Sequence, residues 1–357
     1  MKTTVKLSLA SVLAFAVALP VLAKTASKPV KAPAAKVTAK AEAKKATTAK
    51  AKSQVVEKKA VAKAKVVAPR VVRTKPAYQV TRTSYGRQYG LDQSYDPLEL
   101  RASVALVVDQ NSWTTQYEKN SRMQLPIASI TTLMTAMVNL DAILDMNETI
   151  TLSSEDAAHY AHSRLAVGTT LSRRDVMLLA LMSSDNRAAY ALGRTYPGGL
   201  YAFIQAMNVK ATMLGMNGAR FVDPSGLSPS NQASAMDLAK MVNAASQYKI
   251  VRQLSTAETA TVYTPMGRAL VYHNSNRLIS RNMGWNIGMQ KTGTLSAAGK
   301  CVVIQAVING SPKIIVLLDS SSADSRVTDA VRIKNWLESG SAGTISQNDN
   351  TIKVVGL

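Results

Sequence analysis

Pro126-Ile-Ala-Ser129-Ile-Thr-Thr132-Leu-Met-Thr-Ala-Met137 is the stretch on which the fold turns. From Thr131 to Ile143 the chain is rich in Met, Leu and Ala at helical spacing, and no charged residue appears before Asp141. The spacing predicts a largely buried helix. Ser129 stands at its N-terminal edge, where free backbone N–H groups and the helix dipole favour a nucleophilic oxygen. Residues i and i+3 share one face of a helix, so the side chain at position 132 lies beside Ser129. That side chain is a threonine.

On the N-terminal side of this helix, Ser103-Val-Ala-Leu-Val-Val-Asp109 and Thr115-Gln-Tyr-Glu118 flank a short turn and predict a hairpin. On its C-terminal side, Arg173 to Met182, Asp185 to Leu192 and Leu200 to Met213 read as helices, the last closed by Gly215. Asp223-Pro-Ser-Gly226 is turn chemistry, and Ser234 is a good N-cap for a helix from Ala235 to Ala245. The period then changes: Met289–Thr294, Gly299–Ile308 and Lys313–Leu318 read as strands, with Asn309-Gly310 suited to a tight turn. Asp324 to Leu337 is amphipathic, with Val327, Ala330, Val331 and Leu337 available to pack on a sheet. Strands at both ends and helices in the middle predict an α/β domain of the α+β type, an antiparallel sheet flanked by helices with a helical subdomain.

The rest of the chain reads differently. Residues 1–23 carry Lys2 and Lys6, an apolar run from Leu7 to Leu22 and a small-residue ending at Ala23, the pattern of a cleaved export signal. The run is too short to span a bilayer, so no transmembrane segment is expected after cleavage. The formal charge of +21 is concentrated in residues 24–75, which hold sixteen lysines and arginines against Glu42 and Glu57. This Ala/Lys/Val/Thr/Pro composition predicts no packed core, and the basic segment is assigned to 24–95, ahead of a folded domain at 96–340 and a tail at 341–357. The export signal argues against nucleic acid as a partner. Electrostatic contact with anionic lipid or acidic wall polymer, or a plain solvated spacer, are the readings left. One cysteine, Cys301, excludes an internal disulfide, and His159 and His162, though spaced i, i+3, lack further ligands, so no metal and no cofactor are expected.

Two more segments complete a chemical pattern with Ser129. Ser184-Asp185-Asn186, at a junction between helices, offers a hydroxyl for proton relay and an amide to hold a carbonyl. Lys291-Thr292-Gly293-Thr294, on a strand, offers an ammonium and hydroxyls for a carboxylate, and Gly293 allows close approach to the strand. In this order the three segments are the signature of the penicillin-binding proteins and class A β-lactamases, short of one lysine. The chain resembles the low-molecular-mass penicillin-binding proteins, serine-type D-alanyl-D-alanine peptidases, and within them the endopeptidase branch typified by penicillin-binding protein 7. The resemblance extends over most of 100–339 and includes Asp223-Pro-Ser-Gly-Leu227, Asn274-Ser-Asn-Arg-Leu278 and Ala298-Gly-Lys-Cys301.

The resemblance implies a periplasmic enzyme acting on peptidoglycan peptides and trapped by β-lactams. It implies Ser129 as the acylated nucleophile, with its own N–H and that of Thr294 forming an oxyanion hole. Ser184 and Asn186 would relay protons and fix substrate, and Lys291 with Thr292, Gly293 and Thr294 would bind its carboxylate region. The family's general base is a lysine where this chain has Thr132, and a threonine hydroxyl is too weakly basic to replace it. Lys291 is the one evident substitute, if burial near another cation keeps its amine neutral. A silent relative that binds muropeptides or regulates another wall enzyme is the competing reading. A β-lactamase is disfavoured because no Glu-x-x-x-Asn segment lies between 186 and 291. Ser246-Gln-Tyr-Lys249 repeats the Ser-x-x-Lys spelling without the apolar context.

Overall fold

Val104-Ala-Leu-Val-Val108 is apolar at every position, the pattern of a strand buried on both faces. In the computed structural model it forms the centre of β1 (Ala102–Asp109), and its side chains divide by period two. Val104, Leu106 and Val108 enter one core, while Ala105 and Val107 enter another. The structure describes residues 83–158 and 163–340. The chain divides into two units, Met1–Lys75 and Pro76–Leu357, and the described residues all belong to the second. The export signal at 1–23, most of the basic segment, His159, His162 and the tail at 341–357 lie outside the described residues.

The predicted hairpin is present: β2 (Thr115–Lys119) pairs antiparallel with β1. Between it and the helical region come β3 (Leu125–Pro126), then a 3-10 turn, Ala128–Thr131, and α2 (Thr132–Asp141); α1 (Tyr85–Gln88) precedes the sheet. The helical region continues through β4 (Thr149–Thr151), α3 (Ser154–Ala158), β5 (Thr170–Ser172), α4 (Arg173–Met182), α5 (Asn186–Arg194) and α6 (Gly199–Met213). It closes with β6 (Gln232–Ala233), α7 (Ala235–Ala245) and α8 (Lys249–Thr256). A hairpin of β7 (Thr259–Tyr263) and β8 (Ala269–His273), then α9 (Arg277–Ser280), leads back to the sheet as β9 (Asn286–Leu295), β10 (Gly299–Ile308) and β11 (Ser311–Ser320). The chain of elements ends in α10 (Ala323–Glu338).

The sheet order is β2-β1-β11-β10-β9, antiparallel throughout, so β9 with Lys291–Thr294 is an edge strand. Asn309 and Gly310 both take positive φ, which the β10–β11 turn requires. On one face, Ala330, Ile333 and Leu337 of α10 bury against Val302, Ile304, Ile315 and Leu317. Each fully buried aliphatic side chain there contributes about 1.5–3 kcal/mol. On the other face lies the larger core, in which α2 is buried along Thr132–Asn139 and surrounded by α4, α5, α6 and α7. The predicted helix ends hold closely for α4 and α7, and Ser234 forms a capping box with Asp237. Among the described residues no helix is long and apolar enough to cross a membrane.

Residues 83–95 are part of this fold. Gly86 in α1 sits where a Cβ would be 2.2 Å from Asp319 Oδ2, and its backbone therefore lies directly on the end of β11.

Candidate active site

Ser129 lies in the 3-10 turn one residue after Ala128, whose φ of +48° is unusual for a non-glycine residue. The expected helix start is thus shifted: α2 proper begins at Thr132, and Ser129 is carried by the tighter turn ahead of it. Tight packing over-determines that turn. The Asp223 carboxylate accepts from the N–H groups of Ser225, Gly226 and Ser228 at 2.7, 2.7 and 2.9 Å, closing the Asp223-Pro-Ser-Gly226 loop. Thr135 Oγ1 donates to Pro224 O at 2.6 Å, fixing the loop on α2. Gly226, at φ +84°, then presses on Ala128: a Cβ there would sit 1.9 Å from Ala128 O. Gly226→Ala is therefore expected to lower stability by about 2–4 kcal/mol, read by denaturant unfolding, because neither backbone can yield cheaply.

From the opposite side β9 closes on the same turn. A Cβ on Gly293 would stand 2.8 Å from Ile127 O and 3.3 Å from Ser129 N, so only glycine lets the strand edge come this near. Lys291, two residues earlier, is fully buried and has no carboxylate partner among the described residues. Its Nζ donates to Thr292 O at 3.0 Å and makes a hydrogen bond with Ser184 Oγ. Burial, with the nearby Arg326 guanidinium, pulls its pKa down to about 7. Ser184 occupies the junction between α4 and α5 at φ +58°, a second non-glycine residue held left-handed beside Ser129's strand partner. Asp185 caps α5 through Ala188 N (3.1 Å) and accepts from Ser163 Oγ, and burial raises its pKa.

Asn186 opens α5, and its Oδ1 is buried without a hydrogen-bond partner among the described residues. Thr132 does not supply a donor to it. Its hydroxyl, 1 % exposed, donates back to Ser129 O at 2.9 Å. The structure thus joins Lys291 to Ser184 by contact and Gly293 to Ser129 by contact. Thr292 Oγ1 is 2.7 Å from Ser275 Oγ, and Thr294 is exposed at the rim of a cleft. Ser246 is elsewhere: its Oγ donates to Asn243 O at the end of α7, and Lys249 is exposed.

The profile of the D-alanyl-D-alanine carboxypeptidase family, peptidase S11, matches residues 92–322. The chain belongs to this family of serine peptidases. A D-alanyl-D-alanine endopeptidase of Pseudomonas aeruginosa is 44 % identical over 250 residues, covering 69 % of this chain and 80 % of that one. An endopeptidase of the same name from Escherichia coli is 42 % identical over 245 residues, covering 68 % and 79 %. Among solved structures, the Streptomyces K15 DD-transpeptidase superposes with a TM-score of 0.62 at 26 % identity, covering 67 % of this chain and 98 % of that one. The antiparallel sheet flanked by helices is thus the penicillin-binding-protein fold, and the resemblance to the endopeptidase branch agrees with these relatives.

Two residues that brace these segments escaped the sequence reading. Arg326 in α10 is 6 % exposed, and its Nη1 donates to Cys301 O at 2.9 Å and approaches Gly293 O at 3.4 Å. It therefore fixes the register of the β9 and β10 ends while adding a positive charge behind Lys291. Ser275 bonds Met182 O (3.1 Å) and Thr292, tying α4, which leads into Ser184, to β9. Ser275 falls within the Asn274–Leu278 stretch of the resemblance, but nothing in its spacing marks it as a brace.

Proposed function

We propose that this chain is a D-alanyl-D-alanine endopeptidase or carboxypeptidase that acts on peptidoglycan peptides in the periplasm through an acyl-enzyme on Ser129, with turnover held low by Thr132. The observation that carries this reading is that one strand, β9, meets both other segments: Gly293 lies against the Ser129 turn, and Lys291, two residues earlier, is bonded to Ser184. Ser129 Oγ attacks the carbonyl of the penultimate D-alanine, and the C–N bond beyond it breaks. The N–H groups of Ser129 and Thr294 hold the oxyanion. The proton leaves Ser129 by way of Ser184 to Lys291 Nζ and returns to the departing amine. Water then hydrolyses the ester.

Lys291 suits this role because a pKa of about 7 leaves a substantial neutral fraction at neutral pH. When neutral, the amine accepts from Ser184 Oγ instead of donating to it. The route is longer than a direct transfer to a base at position 132, which is why the chain turns over slowly. The family role of Asn186 is to fix the substrate amide, and its unpartnered Oδ1 leaves an acceptor free for that N–H. That same unpartnered oxygen, with the Thr132 hydroxyl bonded back to Ser129 O, also favours a second reading: a silent relative that binds muropeptides.

Export through residues 1–23 places the enzyme beside its substrate. The basic segment at 24–95 then holds it electrostatically to anionic lipid or wall polymer, or spaces the domain from the membrane. Incubation of the periplasmic fraction with a fluorescent penicillin tests the reading. A labelled chain beginning at Lys24 is expected, with all label lost in Ser129→Ala; label that survives Ser129→Ala would refute Ser129 as the nucleophile.

A further inference from the structure

β9 ends the sheet, and a buried network of side-chain amides is fastened to it through Gln290. Gln290 Nε2 donates to Ser255 O at 2.7 Å and to Asn274 Oδ1 at 3.1 Å, and its Oε1 accepts from Asn276 Nδ2 at 3.3 Å. Asn274 Nδ2 in turn donates to Ser255 O and Ala257 O, and Asn276 Oδ1 accepts from Leu278 N. Every amide oxygen and nitrogen of the three side chains is thus paired. A buried network that is fully satisfied specifies one geometry.

Gln290 does not act by touching Ser184. It opposes Ile304 of the core under α10, whereas Lys291 opposes Val303 of the larger core, so the two side chains leave β9 on opposite faces. What the network grips is the pair of residues on either side of Ser275. Ser275 N and Oγ donate to Met182 O at 2.9 and 3.1 Å, and its Oγ lies 2.7 Å from Thr292 Oγ1. Met182 ends α4, two residues ahead of Ser184. The junction's own bonds, from Ser183 N and Asp185 N to Leu179 O, close it on α4 without fixing its distance from β9. The path from Gln290 through Asn274, Asn276, Ser275 and Met182 therefore leaves β9 and returns to it where Ser184 meets Lys291. A clamp for the strand edge alone would not need Ser275 on the last carbonyl of α4.

We propose that Gln290 is a positioning residue for acylation, setting through Asn274, Asn276 and Ser275 the distance at which Ser184 meets Lys291; this rests on the acyl-enzyme reading above. Proton transfer along that contact is steep in distance, and a misplacement of about 1 Å costs about 10²-fold in rate.

Labelling of the full chain by a fluorescent penicillin, followed in time, separates the rate constant of acylation from the fraction of chain that labels. Gln290→Met keeps the side chain's length and removes its amide, and it should lower the rate constant about 10–100-fold with the final labelled fraction unchanged. Ser275→Ala cuts the next link and should act alike. The double variant should be no slower than the slower single, because both break one path. A merely structural Gln290 would reduce the fraction that labels and leave the rate constant alone. That result, or effects that multiply in the double variant, overturns the positioning role alone. Should Gln290→Met fail to fold, Asn276→Ala, which removes the donor to Gln290 Oε1, is paired with Ser275→Ala. An unchanged rate in either then overturns the role, and lowered, non-additive rates uphold it. A parent chain that takes up no label overturns the acyl-enzyme reading and the positioning role together.

Discussion

Replacing Thr132 with lysine is expected to raise the rate of Ser129 acylation about 10²–10⁴-fold, the usual worth of a positioned general base. Ser129 is held by the Gly226 loop on one side and Gly293 on the other, and Ser184 is bonded to Lys291. Thr132 is buried at the first position of α2, directly above Ser129, and its hydroxyl is spent on Ser129 O. A lysine at that position gives up this bond and places an amine on Ser129's face of the helix. Stopped-flow acylation by a chromogenic cephalosporin measures the change. A variant no faster than the parent chain would mean that Lys291 already does all the work a base can do here.

Lys291→Met is expected to have opposite effects on activity and stability. Residual acylation should fall below detection, since both the proton acceptor and the positive charge behind the carboxylate region are lost. Stability should rise by about 1–3 kcal/mol at pH 7, or several degrees in Tm. The magnitudes decide the sign. Moving a lysine's pKa from 10.5 to about 7 corresponds to several kcal/mol against the fold, whereas leaving Thr292 O without its donor costs about 1–3 kcal/mol.

A lysine with a depressed pKa in the folded state destabilises progressively as pH falls from 10.5 to about 7, and by a constant amount below that. The stability gain of Lys291→Met should therefore be fully present below 7, shrink as pH rises, and reverse before 10.5, where only the lost donor to Thr292 O remains. The parent chain's acylation rate should climb with pH through about 7 as the amine loses its proton. Thermal unfolding and acylation rates measured from pH 5 to 10 check both slopes.

Much of the scaffold was legible because period and capping are local. The Arg173–Met182 and Ala235–Ala245 helices, the Asn309-Gly310 turn and the apolar Val104–Val108 run of β1 follow from residues that act on their immediate neighbours. The three segments around Ser129, Ser184 and Lys291 stand out as separate pieces, and only the fold brings Lys291 against Ser184 and Gly293 against Ser129. What the sequence could not carry was the conformation imposed by distant packing. Ala128 and Ser184 at positive φ have no side-chain signal, and the 3-10 turn under Ser129 looks like ordinary helix in one dimension.

The β7–β8 hairpin was missed because its alternation is short and its outer face is exposed. Arg326 was missed for a different reason: on an amphipathic helix an arginine reads as solvent-facing, and only the carbonyls of Gly293 and Cys301 explain its burial. The neutral-leaning amine of Lys291 was foreseeable in principle. Its second cation, supplied from α10, was not.

The most direct test of a slowed but competent Ser129 site is digestion of purified cross-linked muropeptides by this chain and by Thr132→Lys, followed by mass analysis. The account predicts slow cleavage of the D-alanyl bond by the parent chain, at least about a hundredfold faster cleavage by Thr132→Lys, and none by Ser129→Ala. Equal rates with and without the lysine, or no cleavage by either chain, would contradict it.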